Sequence, residues 1–131
     1  MMAGKVKVLL VDDDPDFIEA VKVLLEKKSG YDVVMAYDGN EGIEKVKSDR
    51  PDIIVLDVMM PNKDGYATCA ELKADKKFRD IPILLLTAVA SHIPDTQYTP
   101  RMGMETEADD YLEKPAEPRD ILERIDRLLK K

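Results

Sequence analysis

Apolar and polar positions alternate along this chain between short apolar runs and longer amphipathic stretches. Lys5 to Val11, K-V-K-V-L-L-V, alternates at first and is then continuously apolar, the pattern of a strand whose later half is buried on both faces. Asp12, Asp13 and Asp14 follow. Asp14-Pro15-Asp16 has the form of an N-cap, a proline at the first helical position and an acid in the first turn. Phe17, Val21, Leu24 and Leu25, with Ile18 alongside, then trace a helical stripe, and Gly30 is placed to end that helix in a left-handed cap. Tyr31 to Ala36 is a second short strand. Asp38-Gly39-Asn40 is a turn from which Asn40 is expected to cap a helix running through Ser48, with Ile43 and Val46 facing inward. Ile53-Ile54-Val55-Leu56, flanked by Pro51-Asp52 and Met60-Pro61, is too short for a buried helix and rich in β-branched side chains, which predicts a fully buried parallel strand.

The second half continues the alternation. Pro61 to Gly65 is turn chemistry, and a helix is expected from about Asp64 to Ala74. Ile81 to Thr87 is a fourth buried strand, with Pro82 tolerated at its start. Between Ala88 and Asp109, Pro94, Pro100 and Gly103 argue against one uninterrupted helix, while Met102, Met104 and Ala108 mark a short amphipathic piece. Asp110 to Lys114 is a fifth short strand, and Pro118 opens a last helix whose stripe is Ile121, Leu122, Ile125, Leu128 and Leu129. Five strands alternating with helical segments give an α/β domain, a doubly wound parallel sheet with helices on both faces. The order 2-1-3-4-5 suits five strands, and its ligands bind beyond the carboxyl ends near the switch between the first and third.

Composition narrows the picture. At 131 residues the chain is one ordinary domain, expected to span residues 1–131, and its Lys130-Lys131 end has the look of a natural terminus. The single cysteine, Cys69, cannot form an internal disulfide and reads as a small buried hydrophobe, while the N-terminus lacks a signal-peptide apolar region. A reducing cytoplasm fits best. No apolar run approaches the roughly eighteen residues of a membrane span, so no membrane insertion is expected. With 27 acidic against 20 basic side chains, the net charge of -7 argues against direct nucleic-acid binding.

Candidate chemistry collects at the strand ends. Asp57 directly follows a buried apolar run, where ionisation is costly unless a cation compensates. Alone, it would serve equally well as the cap of the next turn. The first strand, however, ends in Asp12-Asp13, the fourth in Thr87 and the fifth in Lys114, so four strand ends aim polar groups at one crevice. Clustered carboxylates repel one another unless a hard divalent cation takes oxygen ligands from them, and Mg2+ is the natural choice. An ammonium, a hydroxyl and Mg2+ converging on a carboxylate describe a grip on a phosphoryl group, with Asp57 attacking in line to give an aspartyl phosphate.

These residues resemble the receiver domain of two-component response regulators, in its single-domain, chemotaxis-regulator-like form. The match covers nearly the whole chain: V-D-D-D-P-D after the first strand, L-D-V-M-M-P after the third, D-G-Y following it, L-L-T-A after the fourth and D-D-Y-L-E-K-P at the fifth. The resemblance implies a flavodoxin-like fold and makes Asp57 the phosphoacceptor. By the same resemblance Asp13 is a direct Mg2+ ligand, Asp12 a ligand through water, and the backbone carbonyl of Met59 completes the protein's share of the shell. Thr87 becomes the switch hydroxyl, Lys114 the phosphate partner and Tyr111 an aromatic coupled to Thr87, while the Lys114-Pro115 bond is expected to be cis.

The implied partners are a histidine kinase or phosphotransfer protein upstream and a protein partner downstream; the domain itself is a phosphorylated substrate that assists its own labelling and dephosphorylation only modestly. A haloacid-dehalogenase-type phosphatase shares the aspartyl phosphate but needs a second acid two residues after the nucleophile, where this chain has Met59. A flavodoxin-like cofactor binder needs a phosphate loop rich in hydroxyls and glycine, and Asp12-Asp13-Asp14 would repel that phosphate. His92, the single histidine, reads as an exposed loop residue. Between Thr87 and Lys114 the chain is longer than the family usually carries, and a short or displaced helix preceded by a mobile loop is expected there.

Overall fold

Strands β1 (Lys7–Val11), β3 (Ile53–Asp57) and β4 (Ile83–Thr87) are buried along nearly their whole length, which requires a sheet covered on both faces. The structure, a computed structural model, describes residues 5–60, 63–87, 108–114 and 116–130. Together with β2 (Asp32–Ala36) and β5 (Asp110–Glu113), these strands form one parallel sheet in the order β2-β1-β3-β4-β5, as the alternation of elements predicts. All the strands but β3 are a residue or two shorter than expected, while β3 extends one residue further, to Asp57. Lys5 and Val6 precede β1, Ile81 and Pro82 precede β4, and Lys114 lies just beyond β5. Residues 88–107, with His92, and Pro115, with its expected cis bond, lie outside the described residues.

Period-two alternation divides the core into two layers. Val8, Leu10, Ile53, Val55, Leu84 and Leu86 face α1 (Pro15–Ser29) and α4 (Pro118–Leu129), which contribute Ile18, Val21, Leu25, Ile121, Ile125 and Leu128. Leu9, Val11, Ile54, Leu56, Ile83 and Leu85 face α2 (Gly39–Ser48) and α3 (Gly65–Ala74), which add Ile43, Val46, Cys69 and Leu72. Cys69 is fully buried, as its reading as a small hydrophobe required.

Aspartates set the helix starts that frame the sheet's carboxyl edge. Asp14 accepts from the N–H groups of Asp16 and Phe17, with Pro15 at the first helical position, and Gly30 at φ 66° ends α1 in the left-handed region. Asp64 caps α3 through the Ala67 N–H at 2.8 Å. The second helix departs from expectation. Its cap is Asp38, which accepts from the Glu41 N–H at 2.8 Å, and Asn40 lies inside the first turn. Gly65 has a packing reason to be glycine, because a Cβ there would lie 2.7 Å from the Cα of Val58. The absence of a side chain lets α3 start directly against the end of β3.

Candidate functional site

Parallel register brings the two buried carboxylates together. Val11 pairs with Leu56, so the next residues on the two strands, Asp12 and Asp57, stand side by side at the switch between β1 and β3. Only 2% of Asp12 and 3% of Asp57 is exposed. Asp13 is exposed beside them, and one carboxylate oxygen from each of the three lies within 4.8 Å of the others. Like charges in adjacent register destabilise a sheet, so the arrangement calls for a cation.

Lys114 supplies one. Its backbone N–H donates to the Thr87 carbonyl at 2.7 Å, which fixes the chain just past β5 against the end of β4. From there its ammonium reaches Asp57 Oδ1 at 3.2 Å and Asp12 Oδ2 at 3.1 Å. The other Asp12 oxygen accepts from the Asp14 N–H at 3.0 Å, so the turn after β1 orients this carboxylate from the opposite side. Lys114 also lies over the Phe17 ring, 5.2 Å from its centroid.

Burial dominates the electrostatics. It pushes the Asp57 carboxyl up to about 6, with the Asp12 charge adding to the rise and Lys114 opposing it. Asp12 is likewise raised by burial, against the pull of Lys114 and the Asp14 N–H. Burial alone would lower the Lys114 ammonium, but the Asp57 and Asp12 carboxylates outweigh it and hold the group above the ordinary lysine range. Three oxygen donors at this spacing, two of them buried, fit a hard divalent cation, which binds such oxygen sets at short range.

The remaining residues singled out in the sequence are spread along the same edge. Thr87 is the half-buried last residue of β4, beside the strand that carries Asp57. Met59 lies two residues beyond β3 and is 51% exposed. Tyr111 sits inside β5, in register with Leu85, and packs against the core layer under α2 and α3. Asp57, by contrast, alternates with Ile53 and Val55, on the layer under α1 and α4. The structure thus brings Asp12 and Asp57 into ion-pair range of Lys114, with Asp13 beside the two carboxylates, and leaves Tyr111 on the other layer. Phe17 was legible only as part of an apolar stripe; its place one turn beyond the Asp14 cap is the signal that puts it near the carboxylates.

Comparison with known proteins agrees with this geometry. The sequence model of the response regulator receiver domain matches residues 8–126. The chain belongs to that family. Receiver domains are the phosphoacceptor modules of two-component signalling, and the fold and register described above are those of such a module. A curated relative, the alkaline phosphatase synthesis transcriptional regulatory protein PhoP of Bacillus subtilis (strain 168), is 40% identical over 125 residues, which is 95% of this chain and 49% of that protein. The receiver therefore spans about half the length of this relative. Among solved structures, the signal receiver domain of a signal transduction histidine kinase from Syntrophus aciditrophicus is 34% identical, with a TM-score of 0.82 and coverage of 95% of this chain and 90% of that one. The receiver domain of a sensor histidine kinase from Pseudomonas aeruginosa PAO1, solved with a magnesium ion coordinated in its active-site cleft, is 26% identical, with a TM-score of 0.81 and coverage of 98% and 100%.

Proposed function

We propose that residues 1–131 act as one receiver domain that accepts a phosphoryl group on Asp57 from a histidine kinase or phosphotransfer protein and thereby changes which protein partner it binds. The observation that carries this reading is the buried, strand-terminal Asp57 carboxylate held 3.2 Å from the Lys114 ammonium beside Asp12 and Asp13. Asp12, Asp13 and Asp57, with the backbone carbonyl of Met59, would hold Mg2+, which when bound supplies charge neutralisation of the phosphoryl oxygens. Asp57 attacks phosphorus through a carboxylate oxygen as the bond to the donor's leaving atom breaks. Lys114, already on the Asp57 carboxylate, is placed to meet a phosphoryl oxygen once one is attached there.

Thr87, at the adjacent strand end, is assigned the hydroxyl that reads the phosphoryl group, and Tyr111 the aromatic that passes the change toward the neighbouring surface. The domain is consumed as a substrate in this reaction and turns over no metabolite. Among the described residues no helix is long and apolar enough to cross a membrane, and a cytoplasmic setting matches a phosphorelay role. The net charge of -7 favours a protein over nucleic acid as the direct partner of this segment.

Incubation with acetyl phosphate and Mg2+, followed by intact-mass spectrometry, tests the assignment. Wild type gains one base-labile phosphoryl group, a chelator prevents the gain, and Asp57→Asn shows none while remaining folded. Undiminished labelling of Asp57→Asn would overturn it. Thr87→Ala is expected to accept phosphate yet lose most of the phosphate-induced NMR shifts; shifts equal to wild type would remove the switch role from Thr87.

A further inference from the structure

Lys114 lies at the end of β5, two strand spacings or roughly 10 Å from β3 and three or roughly 14 Å from β1, a gap its side chain closes together with those of Asp57 and Asp12. Its stem has four rotatable bonds, and holding one geometry costs rotamer freedom. The two carboxylates attract the ammonium but do not by themselves fix the path of the stem. The third contact is the face of Phe17, with the ammonium 5.2 Å from the ring centroid, inside the range of about 6 Å over which a ring quadrupole attracts a cation.

Phe17 is well fixed for this task. Its N–H donates to the Asp14 cap at 3.3 Å, and its half-buried ring packs against the core layer under α1 and α4. The same Asp14 donates its own N–H to Asp12 Oδ1 at 3.0 Å. One turn of chain therefore sets the position of a carboxylate on one side of the ammonium and of an aromatic face on another. Leucine or isoleucine at position 17 would satisfy the α1 stripe and fill similar space, so the stripe alone does not account for an aromatic ring beneath a cation.

We propose that Phe17 is a positioning residue for phosphoryl transfer, acting through Lys114: its ring face holds the ammonium beside Asp57 before and after the phosphoryl group arrives. A ring face attracts the cation without taking a strong N–H hydrogen bond. The ammonium's donors stay directed at oxygen atoms, those of Asp12 and Asp57 in the resting protein and a phosphoryl oxygen afterwards. Phe17 is then the contact that does not change when the others do. The proposal rests on the assignment of Asp57 as phosphoacceptor.

The test replaces Phe17 with phenylalanines carrying one, two or three ring fluorines, which drain the quadrupole while nearly keeping the shape. Two quantities are read: the rate of labelling by acetyl phosphate with Mg2+, and the NMR shift of the Lys114 ε-methylene protons in metal-free protein. The rate is expected to fall stepwise with fluorine number, to roughly three- to tenfold below wild type. Phe17→Leu should match the trifluoro protein and lose the ring-current shift of the ε-methylene, whereas Phe17→Tyr should keep both shift and rate. In a Lys114→Met background fluorination should change nothing. A rate independent of fluorine number would overturn the proposal, and so would a fluorine effect that persists without Lys114; a loss seen in Phe17→Leu alone would show that the ring only packs. Labelling that survives Asp57→Asn would instead refute the underlying assignment, whatever the fluorine series shows.

Discussion

Asp12 and Asp57 each lose solvation on folding, and one ammonium shared between them returns only part of it. Opposite effects of two charge-removing substitutions follow. In metal-free buffer at neutral pH, Asp57→Asn removes a buried charge and its repulsion with Asp12, and should raise stability by on the order of 1 kcal/mol, several degrees in Tm. Lys114→Met leaves two neighbouring carboxylates without their counter-ion and should lower it by about 2 kcal/mol, less than for a fully buried pair because the lysine is partly solvated. Thermal unfolding with a chelator present checks both, and a fall in Tm for both would contradict the account. Asp57 was legible as a candidate only jointly with Asp12-Asp13, Thr87 and Lys114 at the other strand ends, since a carboxylate ending an apolar run can equally well cap the next turn. The Phe17 contact was not, because it joins residues from opposite ends of the chain and the α1 stripe already accounted for the side chain.

Helix starts were legible where the sequence over-determines them and misplaced where it does not. Pro15 after Asp14 leaves one solution, and Asp14 is the cap. In Asp38-Gly39-Asn40 two residues could cap; Asp38 prevails because its carboxylate takes the Glu41 N–H while Glu41 returns a bond to the Tyr37 N–H at 2.8 Å, a pairing available only from that position. Between elements, Tyr31 just before β2 donates its hydroxyl to Asp126 of α4. Burial, then the hydrogen bond to Asp126 and its charge, push the Tyr31 phenol up to about 12 from its ordinary 10. The native state therefore keeps a proton that the unfolded chain gives up earlier. This contribution is fully present below pH 10 and is lost as pH rises from about 10 to about 12. Tyr31→Phe should cost about 1 kcal/mol at neutral pH, and its deficit against wild type should shrink over that alkaline window; urea titrations at a series of pH values measure it, and a deficit that does not change with pH would contradict the linkage.

At the scale of the molecule, one lysine joins parts that the sheet alone does not. Lys73, 9% exposed at its side chain, donates from the end of α3 to the Arg79 and Ile81 carbonyls, both at 3.0 Å, and to Asp109 Oδ2 at 2.9 Å, an oxygen that also accepts from the Ile83 N–H. The entrances to β4 and β5 are thus tied to α3, on the opposite edge of the sheet from the site. Lys73→Met should cost about 2 kcal/mol in urea unfolding, with labelling by acetyl phosphate unchanged; a labelling defect would show that the tie reaches the site. Nothing in the sequence marked Lys73, since a lysine late in an amphipathic helix ordinarily faces water. The sheet order was legible because five short strands alternating with helical segments leave few arrangements of a doubly wound parallel sheet. The caps carry one more consequence, and it concerns encounter rates. Helix N-termini at a sheet's carboxyl edge ordinarily present partial positive charge to an incoming anion, but Asp14, Asp38 and Asp64 occupy those positions with carboxylates of the chain's own, on a protein of net charge -7. An anionic donor therefore approaches against the field. At saturating Mg2+, the second-order rate constant for acetyl phosphate should rise as added salt shortens the Debye length from about 30 Å at 0.01 M to about 8 Å at 0.15 M, the reverse of a steered encounter.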